Sequence, residues 1–418
     1  MKCLGSATMI AVATVAAAAS PPAGLPFHLA GDGSAAIAWS QRVASANDDW
    51  VNDLLLLRSG NVMAVGFLNR KDGSPPSDWL ALAAEIGPDG KLIDQRSFGA
   101  GGGIDAFWSM VEAGDGSRTF AGFTTRMGGG GIDGLVLQTG PNGDLRVDRA
   151  FGQGGYDRFT DLASASDGYV FLGHSQAEGT DKRRIYIVKT DLAGRTLWER
   201  VHDAPESWGA LYIEPAGDGT FVIAGGTSTA DDGDMFAMKL DAEGRELWRK
   251  RAGTSDWDEV NHGLVVRSDG RIVLTGYTHK HGEESNDLVA ATLSPRGDVE
   301  RIERFGGSGD DRAILAKADS QGGIWIVGHS GSAGAGGQDL LLARLDAQGR
   351  FEPSAITVGG RSDDHGTALL PLADGSLLLA GYSRGLGGGG EDSFVLRLTK
   401  PAWNRPNPAF NREAAKAP

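Results

Sequence analysis

The stretch FGGSGDDRAILAKADSQGGIWIVGHSGSAGAGGQDLLLARLDAQG, residues 305–349, decides the fold class. Short apolar runs at 314–317, 324–327 and 339–345 alternate in it with Gly-rich and Asp-containing segments. Short apolar runs bounded by turn residues are typical of β-strands, and these lack the 3.6-residue period of a helix. The stretch therefore predicts antiparallel strands joined by tight turns.

The same pattern recurs along the chain. Each copy contains a Gly near the end of its second apolar run, at Gly66, Gly122, Gly173, Gly225, Gly276, Gly328 and Gly381. The first interval holds an insertion around residues 74–76, and the later glycines are about 52 residues apart, a period that indicates a repeat architecture. One such unit cannot bury both of its faces alone, so we expect seven stacked copies.

An acidic residue keeps register with that glycine. We call it the strand-start acid because it begins the first strand of each copy, and it lies at Asp49, Asp105, Asp157, Glu259, Asp311 and Asp364, with Trp208 in its place in the fourth copy. A second Asp precedes the third strand in every copy except the third, where Arg184 stands. Because these acids recur, we expect most of them to cap turn amides and not to form a functional carboxylate ring.

These features predict an all-β, seven-bladed β-propeller with four antiparallel strands per blade. The stretch IAWSQRV at 37–43 resembles the outer-strand stretches at 197–201 and 247–251, although it precedes the first copy. The seventh copy ends after its third strand, at 393–398. We therefore expect the N-terminal strand to supply the missing fourth strand and close the last blade.

The repeat resembles that of bacterial exported β-propeller repeat proteins, which carry a Phe-Gly-Gly…Asp…Asp-Gly…Ala-Gly-Tyr…Asp…Leu-Asp-x-x-Gly pattern. Residues 305–349 give the best local match, and the resemblance extends over about 36–400. It implies a propeller fold and an exported setting. It implies little about activity, because propellers include binding scaffolds and enzymes of several classes.

The N-terminus has the features of a signal peptide, residues 1–19. Lys2 precedes an apolar stretch at 9–19, and Ala17-Ala18-Ala19 before Ser20 fits the small-residue cleavage rule. The stretch is too short and Ala-rich for a good membrane span, and an uncleaved anchor is the alternative. We expect a lead at 20–35, the propeller at 36–400 and a polar tail at 401–418. The mature protein would be periplasmic or secreted, with no integral membrane segment.

Charge and cysteine content exclude several classes of protein. The formal net charge of −14 argues against binding to nucleic acid or to an anionic membrane. Cys3 is the sole cysteine and lies in the predicted signal peptide, so the mature chain would hold no disulfide. We expect a monomer without a metal site, and the sequence indicates no particular cofactor.

The predicted strand order places the Gly-rich loops and the loops that enter each blade on one face, which we call the funnel face. These loops are the longer and more varied set, so a site is expected in the central funnel. Residues that depart from the repeat are the best candidates, because the architecture alone does not require them. In neighbouring blades five to seven they are Tyr277, Arg312, His329, His365 and Tyr382.

Two functions from different classes fit these residues. In the first, an exported binding module recognises a glycan or protein ligand, with Trp208, Glu259, His262, Tyr277 and His365 as ligand-binding residues. In the second, a polysaccharide lyase performs β-elimination on a uronic-acid-containing glycan. Its catalytic residues would be His329, Tyr382 and Arg312, supplying a base and a cation that neutralises the substrate carboxylate. The alternative to both is that these side chains only pack at strand ends.

Overall fold

The computed structural model describes residues 13–14, 25–31, 35–43, 48–69, 79–99, 103–128, 131–177, 179–180, 183–203, 212–228, 233–254, 256–279, 285–386, 390–401, 403 and 405–415. Every regular element in these ranges is a β-strand. None of the residues in these ranges belongs to a helix of the length and apolarity needed to cross a membrane.

Seven antiparallel sheets follow one another along the chain, and each forms one blade. Three strands precede the first complete blade: β1 (Ala13–Thr14), β2 (His28–Ala30) and β3 (Ile37–Arg42). Blades one to three consist, in order, of β4 (Asp49–Leu56), β5 (Val62–Asn69), β6 (Trp79–Ile86), β7 (Leu92–Phe98), then β8 (Asp105–Glu112), β9 (Arg118–Thr124), β10 (Asp133–Thr139), β11 (Leu145–Phe151), then β12 (Gly155–Ala165), β13 (Gly168–Ala177), β14 (Arg183–Asp191), β15 (Thr196–His202).

The second half of the ring continues the same order. Blades four to six consist of β16 (Tyr212–Pro215), β17 (Phe221–Ser228), β18 (Gly233–Leu240), β19 (Glu246–Ala252), then β20 (Trp257–Val266), β21 (Ile272–His279), β22 (Asn286–Leu293), β23 (Val299–Gly306), then β24 (Asp311–Ala318), β25 (Ile324–Ser330), β26 (Asp339–Leu345), β27 (Ile356–Gly359). Blade seven holds β28 (Asp364–Pro371), β29 (Leu377–Ser383) and β30 (Asp392–Leu398), and β31 (Asn411–Ala415) follows.

The apolar core lies between the blades. Seven clusters of buried apolar side chains each join two neighbouring blades, including one between blade seven and blade one. The first strands of neighbouring blades contact one another around the ring, and β28 contacts β4 where the ring closes. The observed fold is therefore the predicted seven-bladed propeller, whose strands gain most of their stability from burial between sheets.

The N-terminal strand closes the ring as predicted. β3 pairs antiparallel with β30 as the fourth strand of blade seven, in a register that runs from Ile37 opposite Leu398 to Arg42 opposite Phe394. Arg42 also forms an ion pair with Asp392. One blade thus contains strands from both ends of the chain, and opening the ring requires breaking a whole strand pairing.

Other terminal segments cover the outer edges of three blades. β2 pairs with β27, β31 with β23, and β1, which lies within the predicted signal peptide, pairs with β7. Phe410, before β31, is 6% exposed and stacks on Phe305 at 5.2 Å. The segment expected to be a polar tail therefore adds a strand and a buried aromatic anchor to blade five.

A β-bulge explains the repeated glycine. In blade six, β24 shifts register between Ala313 and Leu315, opposite Gly328 on β25. A Cβ added at Gly328 would lie 1.8 Å from the Arg312 carbonyl oxygen, and at Gly173 1.8 Å from that of Arg158. No side chain fits this gap, so Gly is required wherever the bulge recurs.

Most of the strand-start acids cap loop amides, as predicted, and Asp105 instead pairs with Arg126. Asp311 accepts a hydrogen bond from the Gly307 amide at 2.8 Å, and Asp157 accepts one from the Gln153 amide at 2.8 Å. In blade five the equivalent residue is Asp258, which accepts from the Thr254 amide, so the assignment of Glu259 to this position was wrong. The bulge between Val260 and Gly263 is longer than in other blades and shifts the sequence spacing.

Candidate functional site

Cross-strand pairing assembles the funnel end of each blade. The residue after the strand-start acid lies opposite the residue after the repeated glycine, which places Arg312 opposite His329 and His365 opposite Tyr382. Trp50 lies opposite Phe67 in the same way. Directly opposite residues on one face of a sheet are close enough to touch, so each blade contributes a pair of side chains to this end.

These pairs join across blades six, seven and one into a continuous stack that we call the aromatic arc: His329, His365, Tyr382, Trp50, Phe67 and Trp79. Successive ring centroids are 4.3, 4.9, 4.8, 5.8 and 4.4 Å apart. Trp108 of blade two continues it, 6.4 Å from Phe67. Such separations are those of interacting aromatic pairs, and the contacts hold the rings in fixed positions.

Arg312 extends the contacts into blade five. Its guanidinium carbon lies 4.7 Å from the centre of the Tyr277 ring, and its Nε lies 3.1 Å from the Asp310 carboxylate. The five candidates predicted in blades five to seven therefore form one chain of neighbours. The structure brings Tyr277, Arg312, His329, His365 and Tyr382 together in this way.

Burial keeps the imidazoles of the arc neutral. Desolvation, assisted by the nearby His365 and Arg312, lowers the pKa of His329 to about 3. Burial also lowers the pKa of His365, although Asp363 and Glu391 act in the opposite direction. Desolvation and the nearby Glu391 raise the pKa of Tyr382 to about 12. All three groups are therefore uncharged at neutral pH and act as hydrogen-bonding groups.

A rim of paired charges surrounds the arc. Glu391 accepts a hydrogen bond from Trp50 Nε1 at 2.9 Å and pairs with Arg384 at 2.8 Å, and Arg384 also pairs with Asp363 at 3.2 Å. Burial alone would raise the pKa of Asp310, but a hydrogen bond from Asn286 and the charge of Arg312 hold it below its usual value. Asp310, Asp363 and Glu391 are therefore each paired with one of the two arginines.

The remaining predicted site residues fall wholly or partly outside the described residues. Trp208 falls outside the described residues. The backbone of Glu259 lies opposite Tyr277, but the side chains of Glu259 and His262 are outside the described part of the structure. His174, three blades from His329, is fully buried in blade three, opposite Arg158.

The sequence analysis did not single out Trp79, Trp108 or the rim residues Arg384 and Glu391. Trp79 begins β6 just after the insertion that breaks the first interval, so no repeat position marks it. Trp108 is the extra residue of the bulge in β8, a position whose direction only the structure reveals. Trp50 could have been found, because it departs from the repeat at the same position as Arg312 and His365.

The geometry does not favour the lyase alternative. A general base works best when its pKa is near the operating pH, and the values for His329 and Tyr382 lie far below and far above neutrality. The guanidinium of Arg312 is already engaged with Asp310 and Tyr277. A substrate carboxylate would have to displace Asp310 and would meet the other carboxylates of the rim.

A second polar cluster lies in the central channel. Lys317 of blade six faces three carboxylates from other blades, Asp53, Asp161 and Glu214, beside a cavity of about 30 Å³ with room for about two waters. Burial raises the pKa of Asp53 to about 6, and the three carboxylates raise that of Lys317 despite its desolvation. Among the described residues no group of three or more His, Cys, Asp or Glu side chains is arranged to hold a metal ion.

Comparison with known proteins supports the fold and assigns no family. No protein-family model matches the chain. The regulatory protein FlaEY of Caulobacter vibrioides is 24% identical over 302 residues, which are 57% of this chain and 31% of that protein. This chain therefore spans about a third of the length of that relative.

A second likeness is local. The co-chaperonin GroES of Nitratidesulfovibrio vulgaris is 37% identical over 89 residues, which are 93% of that protein and 20% of this chain. That segment is shorter than two of the seven repeats. It therefore cannot account for a closed seven-bladed ring, and we assign no family from it.

Among solved structures, the Kuenenia stuttgartiensis hydrazine synthase aligns over 87% of this chain and 99% of its own, with a TM-score of 0.55 and 9% identity. A Penicillium chrysogenum α-L-arabinanase complexed with arabinobiose aligns over 85% and 98%, with a TM-score of 0.43 and 12% identity. At 9% identity the hydrazine synthase likeness shows the fold alone. The chain is therefore a seven-bladed β-propeller of a repeat type that these comparisons leave without a family.

Proposed function

We propose that this protein is an exported binding module whose funnel face, over blades six, seven and one, recognises a glycan or protein ligand. The observation that carries the proposal is the aromatic arc. Its members occupy positions at which the repeat varies, yet they meet in one continuous stack. Architecture alone would not require His365, Tyr382 and Trp50 to make contact across a blade boundary.

The arc has the physical character of a binding surface. Trp50 and Tyr382 are only partly buried, and both are fixed by their neighbours, so little side-chain entropy is lost when a ligand binds. Their polar atoms supply hydrogen bonds and their rings supply apolar area, a combination that is enriched at recognition sites. The two arginines beside them are paired with carboxylates of the protein, which avoids burying an unpaired cation under the ligand.

A retention experiment with two tryptophan variants tests the proposal. Wild-type protein, Trp50→Ala and Trp198→Ala are passed over columns of immobilised cell-wall polysaccharides and of secreted proteins. Trp198 is also half-buried, but it lies on the outer strand of blade three, away from the arc. We expect retention of the wild type and of Trp198→Ala, and loss for Trp50→Ala with an unchanged circular dichroism spectrum. Equal retention of all three proteins would place the binding surface elsewhere.

Export is a separate part of the proposal. The basic Lys2, the apolar stretch and Ala17-Ala18-Ala19 support cleavage before Ser20. Terminal sequencing of protein from the periplasm and the medium is expected to give Ser20 as the first residue. Cytoplasmic protein that retains Met1 would contradict export.

A further inference from the structure

The charged groups of the rim are already committed to one another. Arg312 pairs with Asp310, and Arg384 pairs with both Asp363 and Glu391. The Arg312–Asp310 pair is partly buried, so breaking it to recruit a ligand is costly, whereas Arg384 is 60% exposed and its ion pairs are weak. Recognition beside Arg312 therefore depends on groups other than that guanidinium.

The neutral polar groups of the arc are the ones with unused hydrogen-bonding capacity. His329 is only 7% exposed, and its Nδ1 has no hydrogen-bond partner among the described residues. Within the described part of the chain, neither the Tyr382 hydroxyl nor the His365 imidazole has a hydrogen-bond partner. His329 Nδ1 is itself enclosed, so the polar groups that a ligand can reach are those of the partly exposed His365 and Tyr382.

The net charge of the rim selects against anions. Four carboxylates and two guanidinium groups lie around the arc: Asp48, Asp310, Asp363, Glu391, Arg312 and Arg384. Asp48, Asp310 and Asp363 immediately precede strand-start acids, where blades two, three and five carry Ile104, Tyr156 and Trp257. At this position the acidic residues therefore belong to blades six, seven and one. Juxtaposed like charges cost several kcal/mol, so an acidic ligand is disfavoured at this position.

The edges of the aromatic rings are more available to a ligand than their faces. Trp50 lies between Tyr382 at 4.8 Å and Phe67 at 5.8 Å, with interplanar angles of 8° and 30°. Both faces of this indole are therefore covered by protein, although the side chain remains partly exposed. A ligand meets ring edges, hydroxyl and imidazole groups, which suit hydrogen bonding more than stacking.

We infer that the ligand of the arc is a neutral, hydroxyl-rich glycan, and that acidic glycans are excluded. This inference rests on the proposed binding function of the funnel face and specifies its ligand. Sugar hydroxyls both donate and accept hydrogen bonds, so they suit the partly exposed His365 and Tyr382 whichever tautomer the imidazole adopts. They also approach the carboxylates of the rim without charge repulsion.

Calorimetry with defined oligosaccharides tests the inference. The probes are cellohexaose, xylohexaose, mannohexaose and maltohexaose as neutral glycans, and hexagalacturonate as the acidic one. The proteins are the wild type, Tyr382→Phe, which removes one hydroxyl and keeps the ring, and Tyr156→Phe in blade three as the matched control. We expect at least one neutral glycan to bind, a five- to tenfold loss of affinity in Tyr382→Phe, roughly the net value of one hydrogen bond, and no change in Tyr156→Phe.

The possible contrary results separate the two proposals. Tighter binding of hexagalacturonate than of every neutral glycan, weakened by Tyr382→Phe, would overturn the ligand class and leave the binding function standing. Neutral glycans that bind Tyr382→Phe and the wild type equally would also overturn the inference. If no glycan binds, the inference is wrong, and the protein columns described above decide the binding function.

Discussion

Blades three and six carry the same pair of side chains at the funnel end and use it differently. Arg158 lies opposite His174 in blade three, and Arg312 lies opposite His329 in blade six. The residues of the following blade determine whether the pair becomes part of a continuous aromatic stack. Blade seven continues the stack with His365, which lies 4.3 Å from His329, whereas blade four has Gly226 where blade seven has Tyr382. A site in a repeat protein is therefore made by neighbouring repeats and not by one repeat alone.

The largest expected effect on stability comes from the glycine opposite the bulge, which blades three and six share. Gly173→Ala and Gly328→Ala would each place a Cβ 1.8 Å from a carbonyl oxygen of the bulged strand. We expect both variants to lose more than about 3 kcal/mol of unfolding free energy, because the bulge would have to rearrange. Chemical denaturation measures the loss. Gly114→Ala is the control, since its nearest atom would be the Arg58 side chain at 3.8 Å, and its change should stay within about 0.5 kcal/mol. Tolerance of one substitution and not the other would show that the bulge is not a common constraint.

The second effect arises where the two blades meet in the central channel. Blade six supplies Lys317, and its charge is balanced by Asp161 of blade three together with Asp53 and Glu214. Lys317→Met leaves three carboxylates facing one another, so we expect a loss of about 3 kcal/mol at pH 7. The loss should be smaller at pH 5, because burial raises the pKa of all three carboxylates, that of Asp53 to about 6, and protonation weakens their mutual repulsion. Lys239→Met is the control, because Lys239 pairs with the exposed Asp218, and its effect should be under about 1 kcal/mol. A loss that is equal at the two pH values would contradict an electrostatic cause.

The third expected effect is a pH dependence of the unfolding free energy that is caused by His329 in blade six. The pKa of His329 falls from 6.5 to about 3 on folding, so the unfolded chain binds a proton first as the pH drops. Stability should therefore decrease by about 2 kcal/mol between pH 6.5 and pH 5 through this group. His329→Gln should remove that part of the slope, and His202→Gln on the outer strand of blade three should keep it. Asp53 acts in the opposite direction, because its pKa rises from 3.8 to about 6 on folding and stability from it falls as the pH rises through that range. The difference between wild type and His329→Gln isolates the histidine, and identical slopes in the two would refute its assignment.

The ring could be predicted from the sequence because it is encoded seven times. Every copy carries the repeated glycine, every copy except the fourth carries an acid near the start of its first strand, and the N-terminal stretch around Trp39 matches outer strands elsewhere. The features that occur once were missed. Asp258 was misassigned because a longer bulge alters the spacing of blade five. The burial of Phe410 against Phe305 has no counterpart in the repeat, so nothing in the sequence marked it.

The sequence was sufficient to predict which blades form the site, but not which side chains contact one another. Departures from the repeat indicated five residues, each of which lies beside the next in the structure: Tyr277, Arg312, His329, His365 and Tyr382. The sequence could not show that Asp310 engages Arg312, because spacing alone does not fix the direction of a side chain, or that Glu391 engages Trp50, because the two residues are 341 positions apart. The pairing of Arg312 with Asp310 and the burial of His329 change the expected chemistry, since they remove the free cation and the titratable base that elimination requires.

The smallest expected effect is a difference in binding between the two histidines. His329→Ala removes a ring that contacts His365 and leaves a gap at the end of the arc, so we expect affinity for the neutral glycan that binds best to fall about tenfold, or about 1.4 kcal/mol. His174→Ala removes a fully buried ring on the far side of the propeller. It should lower the melting temperature and leave the affinity unchanged. Calorimetry below the melting temperature of both variants separates the two losses. Because the deleted ring and its Arg partner are the same in the two blades, an equal loss of affinity would mean that binding follows general stability, and that the arc gives blade six no special role.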